Sequence, residues 1–140
     1  MTLTLVVDSS VIVKWLNSTD EKDIEKADRI LTNTLKGEIE LIAPELAKYE
    51  VGNVLLLKKK LTAKEIIVPI SALYSYPIQF ISESEELARQ TYKIAQQAGI
   101  TYYDASFIAL AQQENAVLVT ENIKHQGKPQ GVKVTSLRDY

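Results

Sequence analysis

The chain has 140 residues, 46% of them hydrophobic and 24% charged, with a net charge of −2. That is the balance of an ordinary globule, large enough to bury roughly two-thirds of its unfolded surface. It argues against a general nucleic-acid coat, but a local basic rim with a bound metal can still hold phosphates, so a nuclease is not excluded.

With no cysteine and one histidine, His125, the chain lacks the ligands for disulfides, thiolate zinc sites and histidine-based metal sites. Any metal must be held by oxygen, which points to magnesium or manganese. The N-terminus has no basic leader, and its apolar stretch is broken at Asp8 and Lys14. No apolar run approaches the roughly 18 residues of a membrane span. A cytoplasmic protein without a membrane segment is expected, organised as a single domain over residues 1–140.

In chain order, residues 3–7 form an apolar run that predicts a buried strand, followed by a short helix near 10–16 and a polar loop from Asn17 to Asp20. Ile24, Ala27, Ile30, Leu31 and Leu35 fall at helical spacing, with Gly37 as the stop. Ile39 to Ala43 is a second strand, and Pro44 is expected to open a helix reaching about Lys59. Thr62-Ala63-Lys64-Glu65 and Ser82-Glu83-Ser84-Glu85 both fit the capping box that starts helices, and Pro69 should kink or split the first of these. A third strand covers residues 78–81, and Gly99 ends the next helix. A further helix runs from Tyr103 to about Gln113. Residues 116–119 give a fourth strand, and 132–134 a short fifth at the sheet edge. Strands alternating with helices of this length imply βαβ crossovers, hence a parallel sheet of about five strands covered on both faces in an α/β architecture.

Asp8 ends the first apolar run, where a parallel strand delivers its last residue to the crevice in which open sheets bind ligands. Its alternative role is a turn or helix cap assisted by Ser9 and Ser10. Glu50 is read on one helical face with Leu46, Val54 and Leu61, in the middle of an inward stripe. An ionised carboxylate there is costly without a partner, which is either a lysine of Lys58–Lys60 or a shared cation. Asp104 fits a capping box with Thr101, and it also lies a turn ahead of Phe107, Ile108 and Ala111. Thr120 ends the fourth strand, where its hydroxyl can bind a carboxylate, water or phosphate or simply make a turn. Glu121 and Asn122 are candidates for one more ligand, and Ser10 can orient Asp8. Carboxylates gathered in this way repel one another unless a cation lies between them, the pattern of a metal-dependent enzyme acting on phosphates.

Other features carry less. Trp15, Tyr74, Tyr76, Tyr102 and Tyr103 are assigned to core or subunit contacts ahead of base stacking. Lys58-Lys59-Lys60 reads as a solvated helix end. Lys124, His125 and Lys128 form a loop that either contacts phosphate or serves as plain surface. No glycine-rich phosphate loop is present.

Val7-Asp8-Ser9-Ser10-Val11, Pro44-Glu45-Leu46 with Glu50-Val51 and Asn53-Val54-Leu55, Tyr103-Asp104-Ala105 with Ala109-Leu110-Ala111, and Leu118-Val119-Thr120 together resemble PIN-domain ribonucleases, the VapC-like toxins of toxin–antitoxin pairs above all. Each motif is weak alone; the ordered set, spanning essentially the whole chain, is specific. The resemblance implies a three-layer α/β/α sandwich and magnesium- or manganese-dependent cleavage of RNA, with Asp8, Glu50 and Asp104 as the principal acids and metal ligands. It implies hydroxyl support from Ser10 and Thr120. The family's usual fourth acid, two residues after the threonine, is here Asn122, and an acid stands one place earlier at Glu121. A small antitoxin that inserts a basic side chain among the acids, and a homodimer using the region from Pro69 to Tyr76, are the implied partners. The competing expectation is a PIN-like domain with weakened catalysis that serves as a binding or regulatory module.

Overall fold

Leu5, Val6 and Val7 have no exposed surface. A strand buried on both faces requires helices on each side of its sheet. The computed structural model describes residues 2–121 and 131–140. In it, β1 (Leu3–Val7) lies at the centre of five parallel strands, flanked by β2 (Ile39–Pro44) and β4 (Val117–Thr120), with β3 (Gln79–Ile81) and β5 (Val134–Ser136) at the edges. The order β3-β2-β1-β4-β5 reverses direction beside β1. The crevice between the C-terminal ends of β1 and β4 is therefore the sheet's topological switch point, where open α/β sheets place ligands.

Six α-helices among the described residues complete an α/β/α sandwich. After β1 come α1 (Ser9–Leu16) and α2 (Ile24–Leu35); α3 (Leu46–Leu57) and α4 (Ile67–Ser75) join β2 to β3; α5 (Glu85–Ala98) and α6 (Tyr102–Gln113) join β3 to β4. α1 packs with α2, α3 and α4, while α5 pairs with α6 and α6 crosses β1, β2 and β4. All seven residues from Ala105 to Ala111 are buried, which is why α6 shows little amphipathic pattern: it is enclosed rather than laid on a surface. Gly99 closes α5 at φ +65° and Gly37 follows α2 at φ +79°, the left-handed conformation that ends helices most cheaply in glycine.

Several expected boundaries move, each for a local reason. Pro44 belongs to β2 rather than to a helix: it is aligned with Ile81, and the Glu45 N–H still donates to the Ile81 carbonyl at 3.0 Å. The Thr62–Glu65 capping box forms reciprocally, at 2.9 and 3.1 Å, but caps a turn over residues 63–66 that leads directly into α4. Pro69 cannot donate, so the chain restarts at Ile67 and leaves the proline in the first turn of α4, where its missing N–H goes unneeded. Ser84, not Ser82, caps α5 by accepting from the Leu87 N–H at 3.1 Å. β4 begins at Val117 and takes in Thr120. β5 covers residues 134–136 instead of 132–134, because Leu118 is aligned with Val134 and the Lys133 carbonyl already accepts the Leu118 N–H.

Phe107 is 1% exposed at the centre of the core. Phe107→Ala should lower the unfolding free energy by about 3–5 kcal/mol through lost burial and an unfilled cavity, whereas Gly99→Ala should cost about 1 kcal/mol for its left-handed backbone; urea unfolding of the two variants checks the contrast.

Candidate active site

Asp8 is the first residue after β1 and the N-cap of α1, two roles that fix its backbone. Its N–H donates to the Val119 carbonyl at 3.3 Å, and its side chain accepts from the Ser10 N–H at 3.1 Å. Ser10 Oγ donates to Asp8 Oδ1 at 2.5 Å, and Thr120 Oγ1 donates to Oδ2. Both carboxylate oxygens are thus aimed by hydroxyls, one from α1 and one from the end of β4. Asp8 is 6% exposed and Thr120 wholly buried. Burial pushes the Asp8 carboxyl up to about 6, although its hydrogen bonds from Ser10 and Thr120 pull the other way.

Glu50 comes from α3. The buried stripe of that helix is Ala47, Val51 and Leu55, so Glu50 stands on its flank, half-buried, and not in the middle of the inward face. One residue's displacement around the helix separates the two placements. Ser9 Oγ donates to Glu50 Oε1 at 2.6 Å, tying α3 to the residue next to Asp8. Burial raises the Glu50 carboxyl, and the nearby charge of Asp104 raises it further. Among the described residues no lysine or arginine makes an ion pair with Glu50. Asp104 sits in the first turn of α6, its N–H donating to Thr101 Oγ1 at 3.0 Å, so Thr101 caps the helix, and Asp104 is half-buried as well.

β1, α3 and α6 therefore deliver their acids to one end of the sheet. Among the described residues, no three histidine, cysteine, aspartate or glutamate side chains stand close enough to hold a metal together. The donors are nonetheless of one chemical kind: carboxylate and hydroxyl oxygens, with two acids lifted by burial and one of these also by a like charge. That set suits a hard divalent cation, which would relieve the same repulsion.

The Glu121 N–H approaches Ser10 Oγ at 3.5 Å, and its Oε1 pairs with Lys14 at 3.0 Å. Asn122, Lys124, His125 and Lys128 lie outside the described residues. Lys59 departs from the solvated end expected for Lys58–Lys60: its ammonium bonds Glu21 Oε2 at 2.7 Å and the Thr19 carbonyl. Of the aromatics, Trp15 donates to the Ala27 carbonyl at 2.8 Å and meets Tyr76 edge-on, so both serve packing. Sequence reasoning passed over Glu21, and it gave Ser9 no role toward Glu50 and Lys14 none toward the acids; the available signal was a lysine set within Val11-Ile12-Val13-Lys14-Trp15-Leu16, four residues after Ser10.

A buried carboxylate with a raised pKa makes the metal-free fold less stable at neutral pH. The contribution of Asp8 to stability is complete below its unfolded value near 4 and is lost as pH rises through about 6. Asp8→Asn should accordingly stabilise the metal-free protein at pH 7.5 by up to about 3 kcal/mol, an advantage that shrinks as pH falls through about 6. Urea melts of both proteins across this range check the sign.

The chain was also compared with known proteins. The sequence model of the PIN domain matches residues 5–128. Among solved structures, a chain of VapBC2 from Rickettsia felis, bound to a DNA fragment from its promoter, superposes with a TM-score of 0.71 at 18% identity, covering 96% of this chain and 98% of that one. A toxin–antitoxin complex from Klebsiella pneumoniae gives 0.71 at 17%, covering 97% and 99%. VapC20 of Mycobacterium tuberculosis, described as a sarcin–ricin loop cleaving toxin, gives 0.66 at 11%, covering 91% and 98%. At these identities the likeness is one of fold. A comparison with curated protein sequences finds no match. With the PIN sequence model covering most of its length, and the acids of that motif set delivered to one sheet edge, the chain belongs to the PIN domain family.

Proposed function

We propose that the chain is a metal-dependent endoribonuclease, using Mg2+ or Mn2+, and the toxin of a toxin–antitoxin pair, with its 140 residues acting as one domain. The observation that carries this reading is the Asp8 carboxylate: buried at the switch point, gripped on both oxygens by hydroxyls, and placed at the sheet edge that also receives Glu50 and Asp104. Structural groups are seldom buried charged without an ion-pair partner, whereas catalytic groups often are.

Asp8, Asp104 and Glu50 would hold the ion. When bound, a divalent cation lowers the pKa of a water for attack on phosphorus and offsets charge on the phosphate oxygens. Ser10 and Thr120 keep one orientation of Asp8: Oδ1 already accepts two hydrogen bonds from Ser10, so Oδ2, which accepts one from Thr120, is the oxygen with a lone pair to offer a ligand. Ser9 does the same for Glu50. The raised carboxyls of Asp8 and Glu50 make cation binding compete with protons, so affinity should fall as pH drops through about 6.

The partner reading draws support from relatives of the same fold solved as toxin–antitoxin complexes. A basic side chain from a small antitoxin would meet the same acids. Tyr74 is exposed on α4 within the Pro69–Tyr76 surface proposed for a homodimer, and Ile67 and Val68, just before it, are exposed as well. No helix among the described residues is long and apolar enough to cross a membrane, in keeping with action on RNA in the cytoplasm. A catalytically weakened binding module is favoured by one observation, the engagement of Glu121 with Lys14.

Incubated with a defined RNA pool and Mn2+, the wild type should generate discrete products, and Asp8→Asn or Glu50→Gln should slow cleavage by roughly 100-fold or more. Equal cutting by wild type and Glu50→Gln would assign the products to contamination and leave the binding module standing.

A further inference from the structure

The Lys14 side chain is 1% exposed. An ammonium so deep requires its three donors to be matched, and they are: the Lys22 carbonyl at 2.5 Å, Glu121 Oε1 at 3.0 Å and Glu21 Oε1 at 3.2 Å. The other Glu21 oxygen takes Lys59 at 2.7 Å. Burial pushes the Glu21 carboxyl up, but the two lysines outweigh this and hold it below the usual carboxylate range. Two lysines and two glutamates balance in charge across this network.

It also touches the site. Ser10 and Lys14 are four residues apart on α1 and share a face. The Glu121 N–H approaches Ser10 Oγ at 3.5 Å, and the same hydroxyl donates to Asp8 at 2.5 Å. A continuous path thus runs from Asp8 through Ser10 and Glu121 to a buried fixed cation. Glu121 follows Thr120, whose hydroxyl holds Asp8, and its Oε1 is already engaged by the Lys14 ammonium. Releasing it would leave Lys14 with one carboxylate in a low-dielectric setting, and a second divalent ion would be placed near the ammonium it must repel.

We propose that Lys14 is a positioning residue that stands in for a second divalent ion: it claims Glu121 and leaves a centre for one cation on Asp8, Glu50 and Asp104. The proposal rests on the metal-dependent reading above and deepens it by fixing the stoichiometry. Lys14 touches no reacting atom; it acts through Glu121 and Ser10.

Calorimetric titration of the metal-free full chain with Mn2+ tests this without reference to activity. The wild type should bind one ion per chain, and Glu121→Gln should do the same with affinity within about threefold, whereas Asp104→Asn should weaken binding by roughly tenfold or more. Lys14→Met, its fold verified by circular dichroism, should admit a second ion by freeing Glu121. Two ions in the wild type, a roughly tenfold loss in Glu121→Gln, or a single ion in folded Lys14→Met would each overturn the proposal. If Lys14→Met does not fold, the wild-type and Glu121→Gln isotherms decide between the same two answers. A wild type that binds no Mn2+ sinks the metal-dependent reading and this inference with it, whereas the preceding failures sink the inference alone.

Discussion

The candidate centre depends on holding one carboxylate, Asp8, in a place nearly closed to water. Burial disfavours its charge, and among the described residues the Ser10 and Thr120 hydroxyls and two backbone groups offset that cost. Those partners exist because β1 and β4 lie side by side in parallel register, with Val7 aligned with Val119. The register sets Thr120 beside Asp8, and any slip by one residue would turn the threonine to the other face of the sheet. The sheet's centre is therefore where packing and chemistry make the same demand on the sequence.

Around that point the acids divide into two populations. Glu21 and Glu121 are neutralised by Lys14 and Lys59, in contacts of 2.7 to 3.2 Å. Asp8 and Glu50 instead accept hydrogen bonds from hydroxyls, which orient a carboxylate without cancelling its charge. A fold selected for stability alone would have little reason to keep the second arrangement, since a buried uncompensated charge is a standing loss. The contrast separates scaffold from site on physical grounds, and it does so within a few residues of the same helix.

The fold was largely legible in the sequence because its signals were local: β-branched runs for β1 and β2, helical spacing in α2, glycine at the ends of α2 and α5. The misplaced boundaries were those settled by partners far along the chain. Nothing near Pro44 reveals that Ile81 will lie opposite it, and the Val132-Lys133-Val134 alternation is outranked by the Leu118–Val134 register. Asp8 and Asp104 were readable from their positions at element ends. Glu50 stood out as a candidate, but its face was misplaced, because Leu46, Val54 and Leu61 offer a second plausible stripe beside Ala47, Val51 and Leu55. Lys14 escaped notice because a lysine amid apolar residues looks like a surface residue until Glu21 and Glu121 fold against it.

The Thr120–Asp8 hydrogen bond joins residues 112 apart. During synthesis the N-terminal strand emerges early, yet its neighbour β4 cannot pair until residue 120 has left the ribosome. Long-range pairing of this kind also slows folding, since chain closure must precede the contacts that reward it. The pocket is thus among the last features to mature, and a nascent chain carries its acids without the grip that makes them useful. Topology alone thus withholds the finished pocket until residue 120 is available to complete it.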